Sequence, residues 1–142
     1  MIIDASVAAK WFLPGEAYEE ECSLIRKEYE DGKVEIRAPI LIAYEVLSAI
    51  SKRTDVPART AVKLSEKAGA YLLSFSVAPS ASHLSRIVQN ARSLGISVYD
   101  SSYATLSIDL QERLISTDRD LLARLSKIKP APVFIGDYGR LR

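Results

Sequence analysis

Short apolar runs alternate with longer amphipathic stretches along this chain. The short runs are bounded by Gly, Pro or an acid, and the longer stretches have apolar residues at helical spacing. The pattern predicts five strands, at 1–5, 34–38, 73–77, 113–116 and 133–135. It predicts seven helices, at 6–13, 16–30, 39–53, 58–72, 80–93, 99–110 and 119–126. Strands that alternate with helices indicate an α/β fold, a three-layer α/β/α sandwich with a parallel sheet.

Four acids stand inside separate apolar segments: Asp4, Glu45, Asp100 and Asp118. Asp4 and Asp118 follow the first and fourth predicted strands. Glu45 lies in the second turn of the helix that leaves the second strand. Asp100 begins a helix that runs antiparallel to the fourth strand. All four therefore map to the carboxyl edge of the sheet, where open parallel sheets bind ligands.

Carboxylates brought together repel one another, and without compensation some of them take up protons. A hard cation such as Mg²⁺ or Mn²⁺ resolves this, because these ions prefer oxygen ligands and retain several waters. We therefore expect the four acids to form a catalytic metal site. A bound metal can activate water and stabilise charge on a phosphodiester. Around it, Ser6, Ser116 and Asp120 are candidates to orient a ligand or a metal-bound water.

Each acid also has an ordinary structural alternative. Asp4 could simply end a strand in a turn, and Glu45 could be an exposed helix position. Asp100 could be a plain N-cap, which helix starts favour. Thr117 with Asp120 fits a capping box, and Ser6 and Ser116 could be local caps.

Two other phosphate-handling folds use aspartates after strands, but the pattern here differs from both. A haloacid-dehalogenase-type phosphatase requires a second Asp two positions after Asp4, where Ser6 stands. A phospho-receiver requires an acid pair near the first strand and a lysine after a late strand. Asp4 has no acidic neighbour, and Lys129 lacks the strand setting.

Composition narrows the class further. With 142 residues the chain fits one domain, 1–142, with its own core. A single cysteine and a single histidine exclude a disulfide framework and histidine-rich zinc chemistry. No apolar run is long enough to span a bilayer, no signal peptide is recognisable, and no Gly-rich phosphate loop is present. The expected location is the cytoplasm, with no membrane contact.

Charge is unevenly distributed although the formal net charge is only +1. The stretch 16–31 is acidic, whereas 52–67 and 113–142 are basic. This indicates either an acidic and a basic face or ordinary solvated helix surfaces. A basic face would hold an RNA backbone.

Four sequence blocks resemble the PIN-domain ribonucleases, and especially the VapC-like toxins of toxin–antitoxin pairs. These blocks are Ile3-Asp4-Ala5-Ser6, Pro39 through Glu45-Val46-Leu47, Tyr99-Asp100-Ser101-Ser102-Tyr103-Ala104, and Leu114-Ile115-Ser116-Thr117-Asp118-Arg119-Asp120-Leu121. The resemblance covers nearly the whole chain. The last block differs in having Ser116 where Thr is usual, and both residues supply a hydroxyl.

This resemblance implies a PIN-like fold and Mg²⁺- or Mn²⁺-dependent endonucleolytic cleavage of RNA. It also implies a small antitoxin partner and a homodimer. The alternative is a PIN-fold RNA-binding or regulatory module without catalysis. Loss of one of the four acids would favour that alternative, and all four are present.

Several residues outside the four acids carry simpler expectations. Trp11 and Phe12 should pack the first helix or contact a partner. The first helix and the helix at 58–72 should expose apolar surfaces to partners. We expect His83 to be a solvated helix residue and Cys22 to be inert. Tyr99 and Tyr103 should be core residues beside the site.

Overall fold

The computed structural model describes residues 1–141. Its strands are β1 Ile2–Ile3, β2 Ala38–Pro39, β3 Ser76–Val77, β4 Leu114–Ser116 and β5 Val133–Phe134. Its helices are α1 Ala5–Ala9, α2 Glu19–Glu30, α3 Leu41–Ser51, α4 Ala58–Leu73, α5 Ala81–Leu94, α6 Val98–Leu110 and α7 Arg119–Arg124. A 3-10 helix, Ile135–Leu141, follows β5.

All the strand pairings are parallel. β1 pairs with β4, and β4 pairs with β5. β2 pairs with β3, and a single bridge between Ile2 and Arg37 joins this pair to β1. The strand order is therefore β3-β2-β1-β4-β5. From β1 the chain adds β2 and then β3 on one side. It then crosses to the other side of β1, where it adds β4 and β5. The point where the order reverses lies between β1 and β4, which is where open α/β sheets bind ligands.

Helices cover both faces of the sheet, and the expected three-layer α/β/α fold is confirmed. Helix α3 packs against both α1 and α4. Helix α5 packs against α6, which contacts β1, β2 and β4. The core between the layers includes Ile2, Ile3, Leu114 and Ile115, all almost fully buried. Such aliphatic, two-sided burial is typical of a parallel sheet.

Every predicted helix and strand has a counterpart, but the strands are shorter than predicted. Pro39 was expected to start a helix, and instead it ends β2. The N–H groups of Ala38 and Ile40 bond to Phe75 and Val77 of the β3 side, at 3.4 and 3.2 Å. Pro39 lies between them, and its backbone nitrogen faces away from β3, toward β1. Because proline has no N–H to donate there, the pairing with β1 ends at this residue. The 3-10 helix after β5 was not predicted.

The apolar surface expected on the first helix is not exposed. Val7 is fully buried and Trp11 nearly so. The Trp11 indole N–H donates to the Cys22 carbonyl at 2.8 Å, and its ring lies edge-on to Tyr71 and Phe75. Trp11 is therefore a core residue, which agrees with the first of its two expected roles. On α4 Ala68 is also buried, while Val62 is exposed.

Within residues 1–141, no helix combines the length and the apolar character required to cross a membrane.

Candidate active site

Asp4 follows β1 directly and is buried, with 6% of its surface exposed. Its Oδ1 caps α1 by accepting the Val7 N–H at 3.2 Å, and it also accepts the Ser6 hydroxyl at 2.5 Å. Its Oδ2 accepts the Ser116 hydroxyl. Burial raises the pKa of Asp4 above its ordinary value, and these hydrogen bonds oppose that rise without cancelling it. Asp4 is thus a buried carboxyl group held in position by three donors.

Ser6 and Ser116 connect the ends of the two central strands. The Ser116 hydroxyl donates to Asp4 and accepts the Asp118 N–H at 2.9 Å. The Ser6 hydroxyl donates to Asp4 and accepts the Thr117 N–H at 3.1 Å. Both serines therefore fix the loop after β4 relative to Asp4. Neither is only a local cap.

Asp118 is exposed and caps α7, where its Oδ1 accepts the Leu121 N–H at 2.9 Å. The alternative of a capping box formed by Thr117 and Asp120 is wrong, because Asp118 is the N-cap. Asp120 lies exposed in the first turn of α7, where a negative charge favours the helix N-terminus. Its expected contribution to the outer part of the site stays a prediction.

Glu45 projects from α3 toward α6 and is half-buried, so the alternative of an exposed helix position is wrong. Its Oε2 accepts the Tyr103 hydroxyl at 2.5 Å. Burial is the main cause that raises the pKa of Glu45, and the charges of Asp4 and Asp100 raise it further. Asp4 and Asp100, from two other elements, are therefore close enough to Glu45 to act on it electrostatically.

Asp100 is the third residue of α6 and is half-buried. The N-cap is Ser97, whose hydroxyl accepts the Asp100 N–H at 3.0 Å and donates to Asp100 Oδ2 at 2.8 Å. The alternative of Asp100 as a plain N-cap is therefore wrong. Ser97 satisfies the helix end, and the sequence signal for it was the Ser-x-x-Asp spacing of a capping box.

All four acids thus lie at the carboxyl edge of the sheet, around the point where the strand order reverses. Within residues 1–141, however, no three acids, histidines or cysteines are placed as a complete metal-binding group. The set of donors, all oxygen, suits a hard cation that keeps part of its water shell. The raised pKa values of Asp4 and Glu45 indicate carboxyl groups that a nearby positive charge would help to ionise.

The sequence did not identify Tyr103 as a bonding partner of Glu45. Tyr103 was expected in the core, and it is buried there as predicted. Burial, followed by the charge of Glu45, raises the pKa of its hydroxyl far above the usual range. The available signal was its spacing of three residues from Asp100, which places both on one side of α6.

Three minor expectations have mixed outcomes. Tyr99 is not a core residue, since 62% of its surface is exposed. His83 is not simply solvated, since it is half-buried with its Nδ1 at 2.9 Å from Asp109 Oδ2. Cys22 is fully buried, and burial raises the pKa of its thiol to about 12, as expected for an inert cysteine.

A large apolar groove of about 470 Å³ lies beside the site. Its walls come from the start of α3, the segment after β3, α5 and α6. Seven exposed large apolar side chains line it: Ile40, Val77, Leu84, Val88, Val98, Tyr99 and Leu110. The exposed apolar side chains are therefore concentrated at α5 and α6, whereas the sequence placed them on the first helix and on the helix at 58–72.

The chain is an α/β/α sandwich with acids at the point where the strand order reverses. It therefore belongs to the class of open α/β proteins whose ligand site lies at the carboxyl edge of a parallel sheet. Within that class, the model of the PIN domain family matches residues 1–128, and the chain belongs to this family. PIN domains are generally metal-dependent nucleases, often toxins.

Among solved structures, the chain is similar to the crystal structure of PAE2754 from Pyrobaculum aerophilum. The TM-score is 0.64 at 18% sequence identity, over 95% of this chain and 88% of that chain. This likeness supports the fold alone. No curated protein matches the chain.

Proposed function

We propose that the protein is a Mg²⁺- or Mn²⁺-dependent endoribonuclease that forms one nuclease domain over residues 1–142. The observation that carries the proposal is the position of four acids, from four elements of a PIN-family chain, at the switch point of the sheet. Asp4, Glu45, Asp100 and Asp118 would hold the cation directly or through waters. When bound, the cation would supply an activated water and stabilise negative charge on the phosphodiester.

The residues around the acids have separate roles in this proposal. Ser6 and Ser116 fix the Asp4 carboxylate and the loop that carries Asp118. Burial of Asp4 limits water around its carboxylate and strengthens its electrostatic interactions. The chain would therefore contribute an Asp4 carboxylate and an Asp118 loop that are already held in place, which removes part of the cost of arranging them around substrate.

The RNA backbone would contact a basic stripe on α4. Arg59, Lys63 and Lys67 are exposed and spaced by four residues, so they share one face of the helix. Neutralising phosphates with such side chains releases counterions, which makes binding depend on salt. Changing all three to Gln should reduce both RNA affinity and the steepness of its salt dependence, measured by fluorescence anisotropy. An unchanged salt dependence would place the RNA elsewhere.

The test of the proposed activity is cleavage of a labelled single-stranded RNA by purified protein, with Mn²⁺ titrated against EDTA. We expect cleavage that requires Mn²⁺ and stops with EDTA. The alternative is a PIN-fold RNA-binding or regulatory module without catalysis. It is kept because no three acids of residues 1–141 form a complete metal-binding group. RNA binding without cleavage at any Mn²⁺ concentration would favour that alternative.

A homodimer is the second part of the proposal, and the groove on α5 and α6 supports it. Its seven exposed apolar side chains form one contiguous surface, and such patches usually mark interaction sites. We expect Leu84→Glu to yield monomer, and Val62→Glu, at an exposed α4 position, to keep the dimer. Light scattering that shows the parent protein as a monomer at micromolar concentration would contradict this.

A small antitoxin is the third part, and it rests on the membership of the PIN family. An amphipathic helix that packs its apolar face on a protein surface is one established way for such a partner to bind. Because the homodimer would cover the groove on α5 and α6, the antitoxin would bind a different surface. Co-expression with the neighbouring reading frame should give a stable complex in which RNA cleavage is inhibited. A toxin role would be contradicted if no complex forms and cleavage proceeds at the rate of the isolated protein.

A further inference from the structure

Tyr103 lies beside Glu45 and close to Asp4, although it is not itself one of the four acids. It is 2% exposed and comes three residues after Asp100 on α6. Its hydroxyl donates to Glu45 Oε2 at 2.5 Å, and the charge of Asp4 also acts on it. Tyr103 therefore connects α6 to α3 at the point where the acids of three elements come together.

When no cation is present, other conformations of the Glu45 side chain compete with the one that contacts Tyr103. Its side chain has several rotatable bonds, it is only half-buried, and Asp4 and Asp100 carry the same charge. Repulsion and side-chain entropy both favour a conformation turned toward solvent. A donor fixed by the core opposes this, because a hydrogen bond to an ionised carboxylate is stronger than one between neutral groups.

The hydrogen bond with Tyr103 leaves one carboxylate oxygen of Glu45 available to bind a cation. A carboxylate has about four lone-pair sites on two oxygens. The Tyr103 hydroxyl engages Oε2, so Oε1 still has its lone pairs for a cation or a metal-bound water. The phenol ring is rigid and buried in the core, and the hydroxyl therefore has little freedom to follow a moving carboxylate.

We propose that Tyr103 is a positioning residue, whose hydroxyl holds Glu45 in the conformation that receives the cation. This inference rests on the proposed function, in which Glu45 contributes to the metal site. The Tyr103 hydroxyl does not touch the metal or the RNA; it acts through Glu45 alone.

The rival explanation is a structural tether between α6 and α3 with no effect on metal binding. The chain offers a matched control for it. Tyr138 is also buried, and its hydroxyl donates to Oε2 of the buried Glu28 at 2.6 Å. This pair links the C-terminal 3-10 helix to α2, and neither residue belongs to the proposed site.

The experiment compares Mn²⁺ binding by the parent, Tyr103→Phe and Tyr138→Phe proteins, measured by calorimetry at neutral pH together with thermal melting. Loss of a hydrogen bond that orients a metal ligand typically weakens metal affinity ten- to a hundredfold. We expect about a tenfold loss of Mn²⁺ affinity for Tyr103→Phe and no change of affinity for Tyr138→Phe. Both variants lose a buried hydrogen bond, so both should melt at a lower temperature than the parent. Equal Mn²⁺ affinity of parent and Tyr103→Phe would overturn the positioning role.

A double-mutant cycle tests whether Tyr103 acts through Glu45. In a Glu45→Ala background, Tyr103→Phe should cause no further loss of Mn²⁺ affinity. A further tenfold loss there would overturn the inference, since the hydroxyl would then act by another route. Failure of the parent protein itself to bind Mn²⁺ would overturn the proposed metal site and this inference together. Normal binding by the parent and by Tyr103→Phe would overturn the inference alone.

Discussion

At the scale of single residues, Asp118 combines two properties that can be separated by experiment. It caps α7 through Oδ1, and it carries a charge at the carboxyl edge of the sheet. Asn caps helices about as well as Asp but has no charge. We expect Asp118→Asn to melt close to the parent temperature while losing most Mn²⁺-dependent RNA cleavage. Melting curves and cleavage rates on one preparation measure both effects.

Two further variants provide the controls for Asp118. Asp118→Ala removes the cap as well, and should cost about 1 kcal/mol of stability in addition to activity. Asp31→Asn removes a charge at the exposed end of α2 and should leave cleavage unchanged. If Asp118→Asn cleaves RNA as fast as the parent with the same Mn²⁺ requirement, Asp118 is not part of the metal site.

Glu45 gives a prediction about pH and the stability of the metal-free protein. Its pKa is higher in the folded protein than its ordinary value, mainly because of burial. Proton uptake therefore favours folding, and this stabilisation is complete below the unfolded pKa of about 4.3 and lost as the pH rises through the folded pKa. Glu45→Gln should accordingly raise the free energy of unfolding at neutral pH.

The gain from Glu45→Gln should shrink as the pH falls toward 4 and the parent carboxyl takes up its proton. Denaturant unfolding of the metal-free proteins at several pH values measures it. Glu66→Gln, at an exposed position of α4, is the control for loss of an acid elsewhere. A gain that is independent of pH would show that charge at Glu45 is not its cause.

At the scale of helices and strands, the sequence located one helix C-terminus accurately but misplaced two helix starts. Gly95 follows the predicted helix 80–93 closely, and it is the C-cap of α5, with a left-handed φ of 64°. By contrast, Asp100 and Pro39 were assigned to helix starts that Ser97 and Ile40 occupy. A positive φ strongly favours Gly, whereas several polar residues near a helix start can each serve as the cap.

The conformation of Gly95 makes a prediction with an internal control. A Cβ at Gly95 or at Gly69 would meet no atom within 4 Å, but only Gly95 has a positive φ. We expect Gly95→Ala to destabilise the protein by about 1 kcal/mol through backbone strain. Gly69→Ala, inside α4, should stabilise it by roughly 0.5–1 kcal/mol. Chemical denaturation of both variants measures this, and effects of the same sign would contradict the assignment.

At the scale of the whole molecule, the alternation of strands and helices was sufficient to predict the layers and the edge where the acids lie. This worked because a parallel α/β topology fixes which ends of the strands face the same side. It did not require knowledge of any tertiary contact. The sequence therefore predicted the location of Asp4 and Asp118 beside the central strands.

The sequence pattern did not predict which apolar helix faces remain exposed in the folded protein. The apolar positions Val7 and Trp11 on the first helix resemble Leu84 and Val88 on α5 in pattern. The first pair is buried, whereas the second pair lines the open groove. Which apolar face is covered depends on the elements that pack on it, and local periodicity carries no such information. The bond between Tyr103 and Glu45 was missed for the same reason.

The most direct test of the central claim is the rate of RNA cleavage as Mn²⁺ is added to the purified, metal-free protein. Cleavage should be absent without metal, rise with Mn²⁺ to a plateau, and disappear when EDTA is added. The same titration with Asp4→Asn should give little or no cleavage, because a central carboxylate has lost its charge. Cleavage that persists in EDTA, or that is equal in parent and Asp4→Asn proteins, would contradict a metal-dependent nuclease site at this edge of the sheet.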